Sequence, residues 1–299
     1  MQAIVKQLSQ QGICVLQEEP LSNHTSFRIG GPIRAMVLPS SEAQLIQTMQ
    51  LLHEAGIEPL LIGNGSNLLA SDHAIDRIAI KTHDGVSHVE RLAGDAIYAS
   101  SGTLLSRVAT FARDEGLTGF EFAHGIPGTL GGGVFMNAGA YRGEMSHVVT
   151  QVHYLDETLT RQTVTGEAMA FSYRHSRFSD TKELILGAEI TLTPGDPAEI
   201  GARMVELAGK RKNSQPLEFP SGGSTFKRPK EGYAAAMIDE AGLKGYTCGG
   251  AQVSEKHAGF VINRNNATCA DVLRLMEHVQ ETVFARTGVF LEPEVELVQ

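Results

Sequence analysis

The chain has no tryptophan, only three cysteines in 299 residues, and no apolar run near the roughly 20 residues that a membrane span requires. Cys14, Cys248 and Cys269 stand at wide, unrelated spacings, which neither frame a disulfide scaffold nor make a zinc site, so they read as reduced thiols. The eleven histidines form no His-Glu-x-x-His motif and no spaced cluster with Cys or Asp, and no metal site is expected. His124, beside a glycine-rich loop, reads as a packing residue. A net charge of −9 argues against general nucleic-acid binding. The N-terminal stretch through Gly12 is polar with a helical pattern, and a cytoplasmic location without membrane attachment is expected.

Composition is that of an ordinary globular protein, 42% hydrophobic and 20% charged, and the length suggests about two domains. Ala35 to Leu38 reads as a strand, and Ser41 with Gln44 as a capping box opening a helix that Gly56 ends. Pro59 to Ile62 reads as a short strand, followed by a strand over Ala96 to Ser100 and a helix over Leu104 to Glu115. Val148 to Leu155, Leu159 to Val164 and Leu184 to Leu192 alternate as strands, suggesting an antiparallel meander. Pro194-Gly195-Asp196-Pro197 breaks regular structure, giving domains 1–195 and 196–299. Past it, helices are expected over Ala198 to Lys212, Tyr233 to Ala241 and Ala270 to Arg286, with a last strand over Glu294 to Val298.

Glycine is abundant, and it crowds into two loops. The first is Gly63-Asn64-Gly65-Ser66-Asn67; the second runs from Gly125-Ile126-Pro127-Gly128-Thr129 through Gly132 to Asn137-Ala138-Gly139. Bare backbone N–H groups can close around a diphosphate there, and positive φ costs little. Neither loop ends in the Lys-Ser/Thr pair of a P-loop, and the first lacks the third glycine of a Rossmann fingerprint. The expected dinucleotide is held by another fold.

Three residues stand out as chemical candidates. Arg174 lies among aromatic neighbours and calls for a carboxylate, the protein's own or a ligand's. Ser224 follows Gly222 and Gly223, which leave its hydroxyl accessible for chemistry or for capping the backbone. Glu294 lies in an alternating strand where a solvated edge is the plain reading. Arg203, Lys210, Arg211, Lys212, Lys227, Arg228 and Lys230 face only Glu206 and Glu218 in that stretch, a local basic excess that is either a solvated helix face or an anion site.

Together, the two glycine loops, Ala140-Tyr141, Tyr173-Arg174, Gly223-Ser224-Thr225-Phe226-Lys227, Ala241-Gly242-Leu243-Lys244-Gly245, the stretch Val253 to Phe260 and Leu291-x-x-Glu294-Val295 resemble the UDP-N-acetylenolpyruvoylglucosamine reductase (MurB) family. The compact length is similar to one subgroup of it. The resemblance implies an α+β protein: a two-lobed FAD-binding domain of the vanillyl-alcohol-oxidase (PCMH) type, then a smaller α+β substrate-binding domain. It implies noncovalent FAD at Gly63, Asn64, Gly65, Ser66, Asn67, Gly125, Pro127, Gly128, Thr129, Gly132, Asn137, Ala138 and Gly139, since Asn67-Leu68-Leu69 offers no histidine tether.

The same resemblance implies NADPH-dependent reduction of an enolpyruvyl ether to UDP-N-acetylmuramate in peptidoglycan synthesis. Arg174 would polarise the carboxylate, Ser224 would protonate the α-carbon and Glu294 would stabilise the intermediate. Tyr173, Lys227 and Arg228 would contact the sugar nucleotide. Arg228 stands where an asparagine is expected, and the helix from Tyr233 lacks an expected Gly-Lys pair. The partners implied are small molecules, with a monomer preferred. A different FAD oxidase on the same scaffold, or a non-catalytic nucleotide-binding protein, are the alternatives.

Overall fold

The computed structural model describes residues 2–82, 85–181 and 183–299. Contacts divide the chain into two discontinuous units. The first comprises residues up to Leu16, Ala35–Asn64 and Ile78–Lys210; the second comprises Gln17–Arg34, Gly65–Arg77 and Arg211–Gln299. The segments 17–34 and 65–77 thus group with the C-terminal part of the chain, although both precede the Pro194–Pro197 break.

The first unit has two cores, one per lobe. In one, Ile4 and Leu8 of the helix Gln2–Gln10 pack with Leu45 and Leu52 of the helix Glu42–Glu54 and with Val37 and Ile80 from strands. Ser41 caps the second helix by accepting the Gln44 N–H, while the Gln44 side-chain oxygen takes the N–H of Ser40 instead of Ser41, so the box is displaced by one residue. The left-handed Gly56, φ +66°, follows its last turn. The strand Leu60–Ile62 runs parallel to Ile75–Lys81, pairing Ile62 with Lys81. Gly63 follows at its C-terminal end, where α/β folds gather ligands.

The other lobe is a five-stranded antiparallel sheet in the order Arg161–Thr165, Val149–Leu155, Leu184–Thr191, Ala96–Ser100, Val89–Arg91. It packs against Leu105, Val108 and Ala109 of the helix Leu105–Asp114 and Leu130 and Val134 of the helix Leu130–Phe135. The three strands expected as a meander are present, but not in meander order. After Thr165 the chain crosses to the far edge of Val149–Leu155 before Leu184 begins, and that crossover carries Tyr173 and Arg174.

In the second unit, Val272, Leu275, Val279 and Val283 of the helix Cys269–Thr287 are buried with Phe27, Phe226 and Leu291. Thr268 accepts the Asp271 N–H and Asp271 accepts the Thr268 N–H, a capping box. The Asp72 carboxylate takes the Cys269 and Ala270 N–H groups at 2.8 and 3.1 Å, so the first three helical amides are all satisfied. The strand Glu296–Val298 runs parallel to Leu68–Ala70, and Thr247–Cys248, Ala251–Val253 and Val261–Asn263 form an antiparallel sheet. All three cysteines are free thiols, and burial beside Asp72 pushes Cys269 up to about 11. Among the described residues no helix is long and apolar enough to cross a membrane.

Candidate active site

In the first unit, Asn64 Nδ2 donates to the Pro127 carbonyl at 2.7 Å, tying the start of the first glycine loop to the second. A Cβ on Gly63 would lie 2.4 Å from Thr129 Oγ1, so only glycine lets the two loops approach. The second loop is in turn laced to the stretch after Ala96–Ser100. Leu130 N–H bonds the Thr103 carbonyl and Gly131 N–H the Ser101 carbonyl, each at 2.8 Å. Thr129 Oγ1 and Ser101 Oγ are buried and have no hydrogen-bond partner among the described residues. Unpaired buried hydroxyls are uncommon and call for a partner beyond those the described residues supply. Gly125, Pro127 and Gly132 are exposed beside them. Bare backbone, two unpaired hydroxyls and glycine-dependent loop contact fit a bound dinucleotide. Ser101 is a residue that motif reading missed; its signal was its place directly after a strand.

Asn137 is 1% exposed and its side chain is committed within the protein. Its Oδ1 accepts the Ser146 N–H at 2.9 Å, and its Nδ2 donates to the Ser172 carbonyl at 2.9 Å and to Glu144 Oε1 at 3.2 Å. Ser172 and His175 exchange backbone hydrogen bonds, which makes Tyr173 and Arg174 the tip of a tight turn. Arg174 has φ +55°, its guanidinium reaches the Gly139 carbonyl at 3.5 Å, and Tyr173 is 50% exposed. Burial raises the Glu144 carboxyl, but hydrogen bonds from Ser146 and Asn137 and the charges of His147 and Arg174 outweigh it and hold Glu144 below the usual carboxylate range.

In the second unit, Gly65 has φ +63° and a Cβ there would meet the His24 carbonyl oxygen at 2.0 Å. Ser66 is half-buried in the turn after it. Asn67 Nδ2 donates to the Glu294 carbonyl at 2.9 Å, and the Asn67 carbonyl accepts the Glu296 N–H at 2.8 Å. Asn67, expected at the cofactor, therefore also holds the backbone on both sides of Val295, Glu294 included.

The Ser224 loop is built around its neighbour. Thr225 is fully buried: its N–H donates to the Gly259 carbonyl, its hydroxyl accepts the Val261 N–H at 2.9 Å, and its carbonyl accepts the Glu294 N–H at 2.8 Å. Lys227 N–H bonds the Glu292 carbonyl, so residues 225–227 and 292–294 pair as a short antiparallel ladder. Gly222 is needed there, because a Cβ would sit 2.6 Å from the Phe27 ring and 2.9 Å from Val295. Gly223, φ +82°, then turns the chain to present the partly exposed Ser224.

Lys227 Nζ lies 3.7 Å from Glu292. Crowding by protein atoms raises the Glu296 carboxyl, and the Lys227 charge only partly offsets it. Arg228 stacks on Tyr233, its guanidinium carbon 4.1 Å from the ring centroid, a cation–π contact that holds the guanidinium flat. On the helix Pro197–Ser214, Arg203 and Lys210 both pair with Glu206, so part of the basic excess is an ion-paired helix face. His124 is half-buried, and burial first, then the Arg113 charge, lower its pKa.

Residues 33–165 match the family model described as FAD binding domain, and residues 215–298 match that of the UDP-N-acetylenolpyruvoylglucosamine reductase C-terminal domain. The solved alkyldihydroxyacetonephosphate synthase, 14% identical, shares the fold alone over 65% of this chain and 40% of its own, at a TM-score of 0.50. The glycine loops and these matches define an FAD-binding protein of the two-lobed PCMH type with a second, α+β domain. A UDP-N-acetylenolpyruvoylglucosamine reductase of Caldanaerobacter subterraneus subsp. tengcongensis is 45% identical over 98% of this chain and 96% of its own, and one of Clostridioides difficile is 44% identical over 97% and 95%. The crystal structure of the Thermus caldophilus enzyme superimposes with a TM-score of 0.81 at 30% identity, covering 96% of this chain and 99% of that one. The chain belongs to the UDP-N-acetylenolpyruvoylglucosamine reductase family.

Proposed function

We propose that the protein reduces the enolpyruvyl ether of UDP-N-acetylglucosamine to the lactyl ether of UDP-N-acetylmuramate, with NADPH as reductant. The observation that carries this reading is the backbone bond from the Glu294 N–H to the carbonyl of Thr225, the residue after Ser224, in a chain similar to such reductases along nearly its whole length. FAD bound here and reduced by NADPH would supply the hydride for the β-methylene carbon. Gly63 to Asn67, with Pro127, Thr129 and Ser101, would hold the FAD. Ala138 and Gly139 would add backbone contacts.

Arg174 binds the substrate carboxylate, and its charge stabilises the electron density pushed there as the carbon–carbon double bond is reduced. The Ser224 hydroxyl gives its proton to the α-carbon, so one hydride and one proton complete the reduction. Glu294 stabilises the enol-like species between those events. Lys227 lowers the cost of the serine alkoxide, and the stacked Arg228, with Tyr173, faces the sugar nucleotide. The reading places the protein in the cytoplasm as a monomer acting on small molecules.

The test separates the half-reactions. Ser224→Ala should leave flavin reduction by NADPH near the wild-type rate and cripple reoxidation by the enolpyruvyl sugar. An equal loss in both half-reactions would make Ser224 a structural residue.

A further inference from the structure

We propose that Asn137 and Glu144 are positioning residues for Arg174, clamping the turn that carries its guanidinium. This rests on the reading of Arg174 as the carboxylate-binding residue.

Asn137 has one acceptor and two donor hydrogens on its side chain, and the protein occupies them with Ser146 N–H, the Ser172 carbonyl and Glu144. Ser172 is the residue before Tyr173, and its carbonyl is also one half of the bond pair that closes the turn. The Ser172 carbonyl can only accept and the Ser146 N–H can only donate, so they set which way the Asn137 amide faces, and the Glu144 carboxylate, accepting from Asn137 Nδ2 and from Ser146 Oγ, fixes the same orientation. Despite burial, hydrogen bonds from Ser146 and Asn137 and the charges of His147 and Arg174 hold the Glu144 carboxyl below the usual carboxylate range. The carboxylate therefore acts on the arginine twice, through Asn137 and through its field.

Backbone strain marks the same small region. Asn137, Tyr141, Arg142 and Arg174 have φ of +44°, +51°, +69° and +55°, all left-handed and none a glycine. Tyr141 and Arg142 form the tip of the hairpin in which Gly139 pairs with Glu144. Tyr141 and Arg142 take theirs as the two-residue turn of that hairpin, while Asn137 and Arg174 carry theirs on either side of the Asn137–Ser172 link. The Gly139 carbonyl, next in this hairpin, is an acceptor for Arg174. Asn137, expected to contact the cofactor, is on this account a support for the substrate-binding arginine.

The test uses Glu144→Ala, Glu144→Gln and Asn137→Asp as purified flavoproteins in anaerobic rapid mixing. Aspartate at position 137 keeps the acceptor for Ser146 and tolerates positive φ, but loses the donor to Ser172. Glu144→Ala and Asn137→Asp should keep their FAD and be reduced by NADPH within about threefold of wild type. Their reoxidation by the enolpyruvyl sugar should fall about 10- to 100-fold, the cost of a misplaced binding group. Glutamine at position 144 can still accept from Asn137 and Ser146 and should recover most of the loss.

Equal losses in both half-reactions, release of FAD, or unchanged reoxidation in Glu144→Ala would each overturn the clamp. Arg174→Ala run alongside separates the two claims. If it reoxidises normally, the reading of Arg174 itself fails; if it is crippled while Glu144→Ala is not, only the clamp fails.

Discussion

The Thr225 carbonyl accepts the Glu294 N–H at 2.8 Å, so the residue after Ser224 holds the backbone of Glu294. Thr225 Oγ1 also satisfies the buried Val261 N–H. Thr225→Val keeps the shape and removes that acceptor, leaving a buried donor unpaired. Such a loss costs about 1–3 kcal/mol, to be read by denaturant unfolding. A variant as stable as wild type would show that the hydroxyl is dispensable to the ladder.

His257 makes acid stability a second test. Its Nδ1 accepts the Gly259 N–H at 3.2 Å, and Gly259 holds Thr225 through its carbonyl. Burial, helped by the Lys244 charge, lowers its pKa from the ordinary 6.5. The unfolded chain therefore takes up the proton first as pH falls. The stability contributed is complete above about 6.5 and is lost as pH drops through the folded value. His257→Gln should flatten that part of the curve of melting temperature against pH. An unchanged acid slope would mean that other groups set it.

Gly65 tests the first glycine loop. Alanine there meets both a positive φ and the His24 carbonyl at 2.0 Å, backbone against backbone. The loop must move, and the ratio of flavin to protein absorbance should drop sharply in Gly65→Ala. Gly12→Ala is the control: it has φ +73° but nothing within 4 Å of its Cβ, so it bears only the backbone cost of about 1 kcal/mol and should keep its FAD.

Asp72 tests the helix Cys269–Thr287. Its carboxylate accepts two first-turn amides and places negative charge at the positive end of the helix. Asp72→Ala should cost about 1–2 kcal/mol in denaturant unfolding, as loss of a cap does. A change within error would mean that Thr268 and Asp271 suffice.

The sequence disclosed what depends on local chemistry. Ser41, Gly56 and Gly116 bound helices because a cap or a left-handed glycine acts within a few residues, and the glycine loops announce themselves by composition. It did not disclose what depends on distant partners. The order of the sheet strands departs from a meander because Leu184–Thr191 pairs with Val149–Leu155 and not with Arg161–Thr165. Asp72 caps a helix that begins almost two hundred residues later, and Asn137 bonds Ser172 across the crossover. The roles proposed for Arg174, Ser224 and Glu294 rest on motifs spread along the whole chain, because the neighbours of each fit a structural role equally well. Ser101, in no such motif, and the supporting bonds of Thr225 were invisible until the backbone was placed.

The central claim is that the bound flavin passes reducing equivalents from NADPH to an enolpyruvyl sugar. Under anaerobic conditions, NADPH should bleach the flavin, and UDP-N-acetylglucosamine enolpyruvate added afterwards should restore the oxidised spectrum with one equivalent of substrate consumed per flavin. A bleached flavin that the sugar leaves unchanged would contradict the account.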